Sequence, residues 1–456
     1  MYIILGAGLS GLTIADHLKK KGIPFKIFEG KSHGGGHIYS EQSDGFTWDE
    51  GPHVSFAKSD YVKNYFADNC SDKFLEYPTN PSNYYKGNWI PHPAQSHLYA
   101  IPEALRTQTL QEIKRVREDQ PDNYIPANYD QWLQHAFGSA FTTAFPESYT
   151  IKYWTTEPAN LSTDWIGKRI YFPDVEDMIK SADGPLNKQT HYINKVRYPQ
   201  TGGFYSFIKS VEASLPIQYN KKLSYISFDK KELQFEDGEI VNYEKLVSTI
   251  PLTKMINNSD APAGIKAQSQ KLKCSQLLLV NVIVSHPAPI PNQWIYVYDT
   301  NMYSTRISFT NLLSPQNGVE GKAGIQVEVY FSDYRKPAEP IEEIAEKILL
   351  ELVEMKLVTS KDAIESHHLK WVDFANVIFD NERRQAQEEV LHWLSTKGMA
   401  READDLEPMT NWEEKMEIHQ PLGNIILAGR FAQWKYYWTD DCVLRAQFIS
   451  MHSNNT

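Results

Sequence analysis

A glycine-rich turn near the start of the chain most strongly constrains how this sequence can fold. Residues 2–5 form a short apolar run that ends at Gly6-Ala-Gly8-Leu-Ser-Gly11, and residues 12–21 then carry apolar side chains at helical spacing. Residues 24–28 return to an extended apolar pattern. The order predicts a strand, helix, strand unit of roughly thirty residues, which is the opening of a doubly wound α/β fold.

The glycines of this turn are typical of a site for dinucleotide phosphates. Gly6 permits the tight turn, Gly8 lets the backbone approach a pyrophosphate, and Gly11 lets the helix pack on the sheet while its N-terminal amides face the phosphates. Glu29 follows at about the spacing of 20 residues at which a carboxylate accepts the ribose hydroxyls. We assign cofactor binding here to Gly6, Gly8, Leu9, Ser10, Gly11, Glu29 and Gly30.

A second glycine pair favours FAD over NAD. Gly35-Gly36 follows Glu29 closely enough to bring backbone amides to the flavin side of the pyrophosphate, and simple NAD domains lack this arm. The spacing resembles that of the flavin amine oxidase, phytoene desaturase and UDP-galactopyranose mutase superfamily. We also assign cofactor contacts to His37, Gly429 and Arg430.

Charge and cysteine content exclude several classes of protein. The net charge of −11 makes nucleic acid and anionic membranes unsuitable partners. No apolar run approaches the roughly 18 residues of a membrane span, so we expect none. Cys70, Cys274 and Cys442 lack paired spacing, which argues against disulfides and a metal site. We expect a cytoplasmic enzyme.

The remaining pattern predicts elements of more than one domain. Helix-compatible segments with proline breaks predict a helical insertion at residues 85–145, and short alternating runs predict a hairpin ribbon at residues 221–250. Apolar runs at residues 275–284 and 324–331 predict longer strands, and residues 337–357 predict an amphipathic helix.

These elements predict an α/β fold in which a Rossmann-type FAD-binding domain is interleaved with a helical insertion and a sheet-based substrate domain. The FAD-binding domain is assigned to residues 1–84, 198–260 and 415–456, the helical insertion to residues 85–145, and the substrate domain to residues 146–197 and 261–414.

Four ordered segments resemble the UDP-galactopyranose mutase family. They are Gly51-Pro52-His53-Val54, Tyr149-Thr-Ile-Lys-Tyr-Trp154 with the following Lys168-Arg169-Ile170, Tyr303-Ser-Thr-Arg306, and Gly429-Arg430-Phe-Ala-Gln-Trp-Lys435-Tyr436-Tyr437. The resemblance implies a mutase that interconverts pyranose and furanose forms of a nucleotide-activated, UDP-galactose-like sugar. N5 of reduced FAD attacks the anomeric carbon in that family, and the sugar opens as an adduct and recloses without net redox change.

The same resemblance implies roles for individual residues and partners. Arg169 and Arg306 hold the departing diphosphate, and His53 acts in acid-base chemistry or tunes the flavin. The substrate-binding residues implied are Tyr149, Trp154, Tyr303, Tyr436 and Tyr437. An external reductant such as NADPH or a reductase is implied, and the sequence leaves the oligomeric state open, a homo-oligomer included.

Departures from the family leave alternatives open. His37 stands where mutases usually carry asparagine, the second histidine after His53 is missing, and Trp438 replaces an acidic residue. An FAD-dependent oxidoreductase of the amine oxidase or protoporphyrinogen oxidase type shares the N-terminal pattern, and a homologue that binds FAD without catalysis is a third reading. The pairs His367-His368 and Arg383-Arg384 are interpreted as solvated surface.

Overall fold

The computed structural model describes residues 1–119, 124–167, 170, 172–186, 195–407 and 411–453. The strands in these ranges are β1 (Tyr2–Leu5), β2 (Phe25–Phe28), β3 (Ser40–Ser43), β4 (Phe46–Asp49), β5 (Phe74–Pro78), β6 (Ser82–Tyr85), β7 (Asn88–Pro91), β8 (Lys195–Pro199), β9 (Ile217–Gln218), β10 (Leu223–Ser227), β11 (Glu232–Phe235), β12 (Ile240–Asn242), β13 (Lys245–Ser248), β14 (Cys274–Val284), β15 (Trp294–Val297), β16 (Arg306–Phe309), β17 (Ala323–Phe331), β18 (Ile364–Val377) and β19 (Ile425–Leu427).

The α-helices alternate with these strands along the chain. They are α1 (Leu9–Lys20), α2 (Asp60–Asn69), α3 (Glu103–Asp119), α4 (Tyr129–Phe137), α5 (Ser139–Thr142), α6 (Ser148–Tyr153), α7 (Val175–Lys180), α8 (Lys209–Ala213), α9 (Leu252–Asn257), α10 (Ala263–Lys271), α11 (Thr310–Leu313), α12 (Ile341–Glu354), α13 (Arg383–Thr396), α14 (Trp412–Glu417) and α15 (Thr439–Met451).

A parallel sheet in the order β19-β13-β1-β2-β9 forms the predicted Rossmann-type unit. Alternate residues of β1 pack into different cores, Ile3 and Leu5 into one and Tyr2 and Ile4 into the other. Both faces of the sheet are therefore buried, as a parallel sheet requires. The strands come from distant parts of the sequence, which confirms the predicted interleaved α/β class.

A seven-stranded sheet in the order β18-β14-β17-β16-β15-β6-β7 forms a second layer. One face of β14 and β17 packs against α12, where Ile344, Ile348 and Leu352 join the same core as Val280 and Val327. The predicted long strands and amphipathic helix are confirmed. The opposite face of this sheet remains available to line a cavity.

The predicted helical insertion was wrong at its start. Strands β6 and β7, joined by Lys86 and Gly87 with positive φ, form a hairpin at the edge of the seven-stranded sheet. The buried polar residues Ser82 and Asn83 bond to main-chain oxygens of β7, so these strands carry no alternating apolar pattern. Two short 3-10 helices follow at Ala94–Ser96 and Leu98–Ala100, and the α-helices of this region run from α3 to α6, with a π-helical turn at Thr143–Glu147.

The predicted ribbon at residues 221–250 is confirmed. Strands β10, β11 and β12 form a three-stranded antiparallel sheet, and the chain then returns through β13 to the parallel sheet. Gly238, at a positive φ of 87°, occupies the predicted turn.

Within the described ranges, no helix is long and apolar enough to cross a membrane. In the same ranges, no group of His, Cys, Asp and Glu side chains is arranged to hold a metal ion.

The surface assignment of Arg383 was wrong. Its side chain is 1% exposed, and its guanidinium donates to Asp164, to Gln387 and to the carbonyl of Leu406. A guanidinium is buried only when its donors are satisfied, and these partners come from parts of the chain that are distant in sequence or on the same helix. Arg383 thus fixes residues 162–166 to α13.

We expect Arg383→Met to lower the free energy of unfolding by about 3 kcal/mol or more, because it leaves the Asp164 carboxylate without its principal partner. Arg384→Met is the matched control, since that neighbouring side chain is half exposed and its ion pairs should contribute less than about 1 kcal/mol. Urea unfolding of both variants is the measurement. Equal losses in the two would contradict the prediction.

Candidate functional site

The two glycine arms contact each other at the carboxyl edge of the parallel sheet. Gly8 forms a bridge with Gly35, and a Cβ added to Gly36 would lie 3.0 Å from the Cα of Gly8. Gly6 has a φ of +93°, and a Cβ on Gly11 would lie 2.0 Å from the Gly6 carbonyl oxygen. Only glycine permits this approach, which brings backbone amides of both arms to one place.

The surroundings of the glycine arms fit a bound dinucleotide. Glu29 ends β2, where its carboxylate accepts hydrogen bonds from the amides of Ala7 at 2.7 Å and Lys31 at 2.9 Å. Gly429 follows β19, and a Cβ there would lie 2.8 Å from Oγ of Ser10 at the first turn of α1. The close-packed cradle and the fixed carboxylate match what FAD requires of its nucleotide half.

A cavity of about 480 Å³ lies between this edge and the seven-stranded sheet. The segment Gly51-Pro52-His53 contributes one wall, and Arg430, Tyr436 and Trp438 contribute another. Aromatic rings form much of the rest: Tyr129, Phe137, Phe141, Phe145, Tyr149, Tyr153, Trp154, Trp165, Trp294, Tyr296, Tyr298 and Tyr330. The volume and lining suit a small organic substrate with at least one flat group.

A bidentate ion pair between Arg306 of β16 and Glu328 of β17 lines the cavity. Arg306 donates from Nε and Nη2 to the two carboxylate oxygens of Glu328, at 2.6 and 2.7 Å, and Tyr330 donates to the same carboxylate at 3.1 Å. Burial opposes the charge of Arg306, but the Glu328 carboxylate outweighs it and holds the pKa of Arg306 well above its usual value. Arg306 therefore keeps its positive charge next to the Glu328 carboxylate.

His53 lines the cavity as a neutral ring. Its Nδ1 lies 3.0 Å from the carbonyl oxygen of Gly51. Burial, and then the positive charges of Arg430 and His37, lower the pKa of His53 to about 4. His53 can tune a bound group by hydrogen bonding, but it carries no proton to give at neutral pH.

We expect the wild type to lose stability relative to His53→Gln as the pH falls from 6.5 to 4. In the unfolded chain this histidine is protonated below about pH 6.5, whereas in the folded chain it stays neutral until about pH 4. The free energy of unfolding of the wild type should therefore fall by about 3 kcal/mol relative to the variant across this window. Urea unfolding at several pH values in this window measures it. A constant difference between the two proteins would contradict the assignment.

Arg430 faces the cavity and is held by main-chain and amide oxygens. It donates to the carbonyls of Tyr437 at 2.8 Å and Ala375 at 3.3 Å, and to Oδ1 of Asn376 at 3.3 Å. Among the residues that the structure describes, it forms no ion pair with a carboxylate. Its positive charge is therefore available to an anion in the cavity.

The structure brings most of the assigned substrate-binding residues to this cavity, but not all. Tyr149, Trp154 and Tyr436 line it. Tyr437 is fully buried with its ring near Trp412, and its side chain is not part of the lining.

Tyr303 and Arg169 were also assigned to the site. Tyr303 lies outside the cavity, with its hydroxyl bonded to Glu339 and its amide donating to Glu351 at 2.6 Å. Arg169 lies outside the described residues. Of the two assigned arginines, only Arg306 lies among the described residues, and its side chain lines the cavity.

Several residues that line the cavity were not predicted from the sequence, although some of them follow a recognisable strand pattern. On β17, Gln326, Glu328 and Tyr330 alternate with Ile325, Val327 and Val329, which belong to the core under α12. A polar residue at every second position of a strand indicates a face turned away from the apolar core. The aromatic residues Tyr296 and Tyr298 gave no comparable signal.

Nearly the whole chain matches a family model. The model for flavin containing amine oxidoreductase matches residues 9–447. The chain belongs to this family. The family description names flavin, which agrees with the glycine cradle described above.

Similar proteins lie in two branches of the family. A protein named "Probable UDP-galactopyranose mutase" from Klebsiella pneumoniae is 28% identical over 164 residues, which are 35% of this chain and 42% of that protein. The mitochondrial protoporphyrinogen oxidase of Nicotiana tabacum is 26% identical over 135 residues, which are 25% of this chain and 26% of that protein. The aligned part is less than half of either relative.

A solved structure extends the comparison to nearly the whole chain. The crystal structure of reduced UDP-galactopyranose mutase superposes with a TM-score of 0.85 at 22% identity, covering 97% of this chain and 91% of that one. The two proteins therefore share a fold over nearly their whole length.

Proposed function

We propose that this protein is an FAD-dependent mutase that interconverts the pyranose and furanose forms of a nucleotide-activated, UDP-galactose-like sugar. The observation that carries the proposal is that the segments resembling the mutase pattern meet at one cavity. Segments at residues 51–53, 149–154 and 430–436 and Arg306, which are far apart in the sequence and each resemble the mutase pattern, line one cavity. Reduced flavin supplies the nucleophile for the anomeric carbon when it is bound.

The protein's own residues would bind and orient the substrate. Tyr149 and Trp154 offer ring faces to a base, since their rings lie in the aromatic wall. Arg430 offers a positive charge to the diphosphate. Arg306 is held in place by Glu328, so its remaining donors can bind an oxygen at a fixed position.

The test uses the purified flavoprotein, reduced anaerobically and given UDP-galactofuranose, with UDP-galactopyranose followed by chromatography. A companion sample stays oxidised. Turnover in the reduced sample alone supports the proposal, and an external reductant such as NADPH can then be tested for restoring activity in air.

An oxidoreductase of the amine oxidase or protoporphyrinogen oxidase type is the second candidate. The observation that favours it is the ion pair of Arg306 with Glu328. Because the Glu328 carboxylate offsets the charge of Arg306, a cavity lined largely by aromatic rings also suits a weakly charged substrate. Flavin reduction by an amine or an apolar substrate, together with no turnover of any nucleotide sugar, would select this candidate and refute the mutase.

A further inference from the structure

The His37 side chain is fixed at one ring nitrogen and open at the other. Its Nδ1 lies 2.5 Å from Oε1 of Glu50, whose side chain is 5% exposed, while the His37 side chain is 47% exposed and lines the cavity. Among the described residues, Nε2 of His37 has no hydrogen-bond partner. A buried carboxylate therefore orients an imidazole whose other nitrogen is accessible from the cavity.

Glu50 is held in its ionised form. Burial opposes its charge, but the hydrogen bond and charge of His37 and the charge of Lys370 outweigh burial and lower the pKa of Glu50 to about 2. Lys370 lies 3.0 Å from the second carboxylate oxygen of Glu50 and 2.6 Å from Glu41. An ionised carboxylate accepts the proton of Nδ1, so the proton that His37 gains or loses is the one on Nε2.

His37 and His53 line the same cavity but have different charged neighbours. His53 is neutral and flanked by positive charge from Arg430 and His37. His37 faces the carboxylate of Glu50 instead, which holds its Nδ1. The uncharged ring of Phe431 lies 5.6 Å from the His37 ring. Of the two histidines, His37 is the one with a ring nitrogen held by a carboxylate and its Nε2 accessible from the cavity.

We propose that Nε2 of His37 exchanges a proton with the sugar during ring opening and closure, an inference that rests on the proposed function. When the bond between the anomeric carbon and the ring oxygen breaks, that oxygen takes the proton from Nε2. When another hydroxyl forms the new bond to the anomeric carbon, its proton returns to Nε2. No proton or electron is consumed, so one group that gives and takes back is sufficient.

This role accounts for two departures in the sequence together. His37 replaces the asparagine that mutases usually carry, and the second histidine after His53 is absent. The cavity, which His53 and His92 also line, thus receives an imidazole from the glycine arm rather than from the segment that follows His53.

The first test compares His37→Asn with His368→Asn in the reduced, FAD-loaded enzyme. His368 also pairs with a carboxylate, that of Asp44 at 2.7 Å, but lies outside the cavity, so its variant should keep wild-type activity. We expect His37→Asn to lower kcat at least about 100-fold, with KM changed less than about threefold. Equal activity of the two variants, with an active wild type, would overturn the proposal.

The second test is the pH profile of Glu50→Gln. This substitution removes the negative charge that faces Nδ1 of His37, so the pH dependence of kcat should differ from that of the wild type if His37 exchanges a proton with the sugar. A profile identical to that of the wild type would also overturn the proposal.

A third readout does not depend on substrate. Nitrogen-15 NMR of histidine-labelled, FAD-loaded protein reports which ring nitrogen of His37 keeps its proton when the ring is neutral, with His37→Asn assigning the signal. A proton on Nδ1 is expected, and a proton on Nε2 would refute the orientation. Absence of any turnover in the wild type would refute the proposed function, whereas an active wild type with an unaffected His37→Asn refutes only the proton exchange.

Discussion

Arg306→Ala is expected to lower kcat/KM for UDP-galactofuranose at least about 100-fold, because the proposed function makes Arg306 a fixed donor to the departing diphosphate. The same change should lower the free energy of unfolding by about 3 to 5 kcal/mol. The reason is that Glu328, 1% exposed, loses the two hydrogen bonds that neutralise its charge. Kinetics of the reduced enzyme and urea unfolding measure the two effects separately.

A double variant separates the catalytic effect from the structural one. Arg306→Met with Glu328→Gln removes both charges, so no carboxylate is left buried alone and much of the stability should return. Activity should remain low. Tyr303→Phe is the control, since Tyr303 lies outside the cavity and should keep wild-type kinetics. Recovery of activity together with stability would show that Arg306 acts only through the fold.

Gly8→Val is expected to weaken FAD binding at least about 100-fold, which corresponds to about 2.7 kcal/mol. Gly8 has an extended φ of −73°, and a Cβ there would lie 3.7 Å from the Cα of Gly36, an ordinary contact. The fold therefore has room for a Cβ at this position, but the added methyl groups occupy the space through which the backbone approaches a pyrophosphate.

The measurement is FAD content after purification and titration of the apoprotein with FAD. Circular dichroism of the apoprotein shows whether the fold is kept. Gly264→Val is the matched control, because nothing lies within 4 Å of a Cβ at that helical glycine. Normal FAD affinity in Gly8→Val would place the cofactor phosphates elsewhere.

The sequence was sufficient for elements whose signal is local. The turn at Gly6, helix α1, the long strands β14 and β17 and the amphipathic helix α12 all follow from periodicity and glycine spacing within short windows. The hairpin of β6 and β7 was missed because its buried polar side chains are satisfied by hydrogen bonds that the sequence does not display.

In the candidate site too, some features follow from local sequence patterns, whereas others depend on contacts between distant segments. Motif spacing alone placed the glycine arms, Glu29 and the segments that line the cavity. Whether Arg306 is free or paired depends on Glu328, which lies on the neighbouring strand and becomes its partner only through the register of β16 with β17. Arg383 likewise became a buried residue only because residues 162–166 pack against α13.

By itself the sequence indicated the family, the class of cofactor and the elements with a local pattern, because each leaves a signal within a few tens of residues. Only the tertiary structure decided the charge and exposure of the site. His37 faces Glu50, burial and Arg430 lower the pKa of His53, and Tyr437 is buried away from the cavity. Such properties depend on distances between segments far apart in the chain, and electrostatic interactions change steeply over those distances.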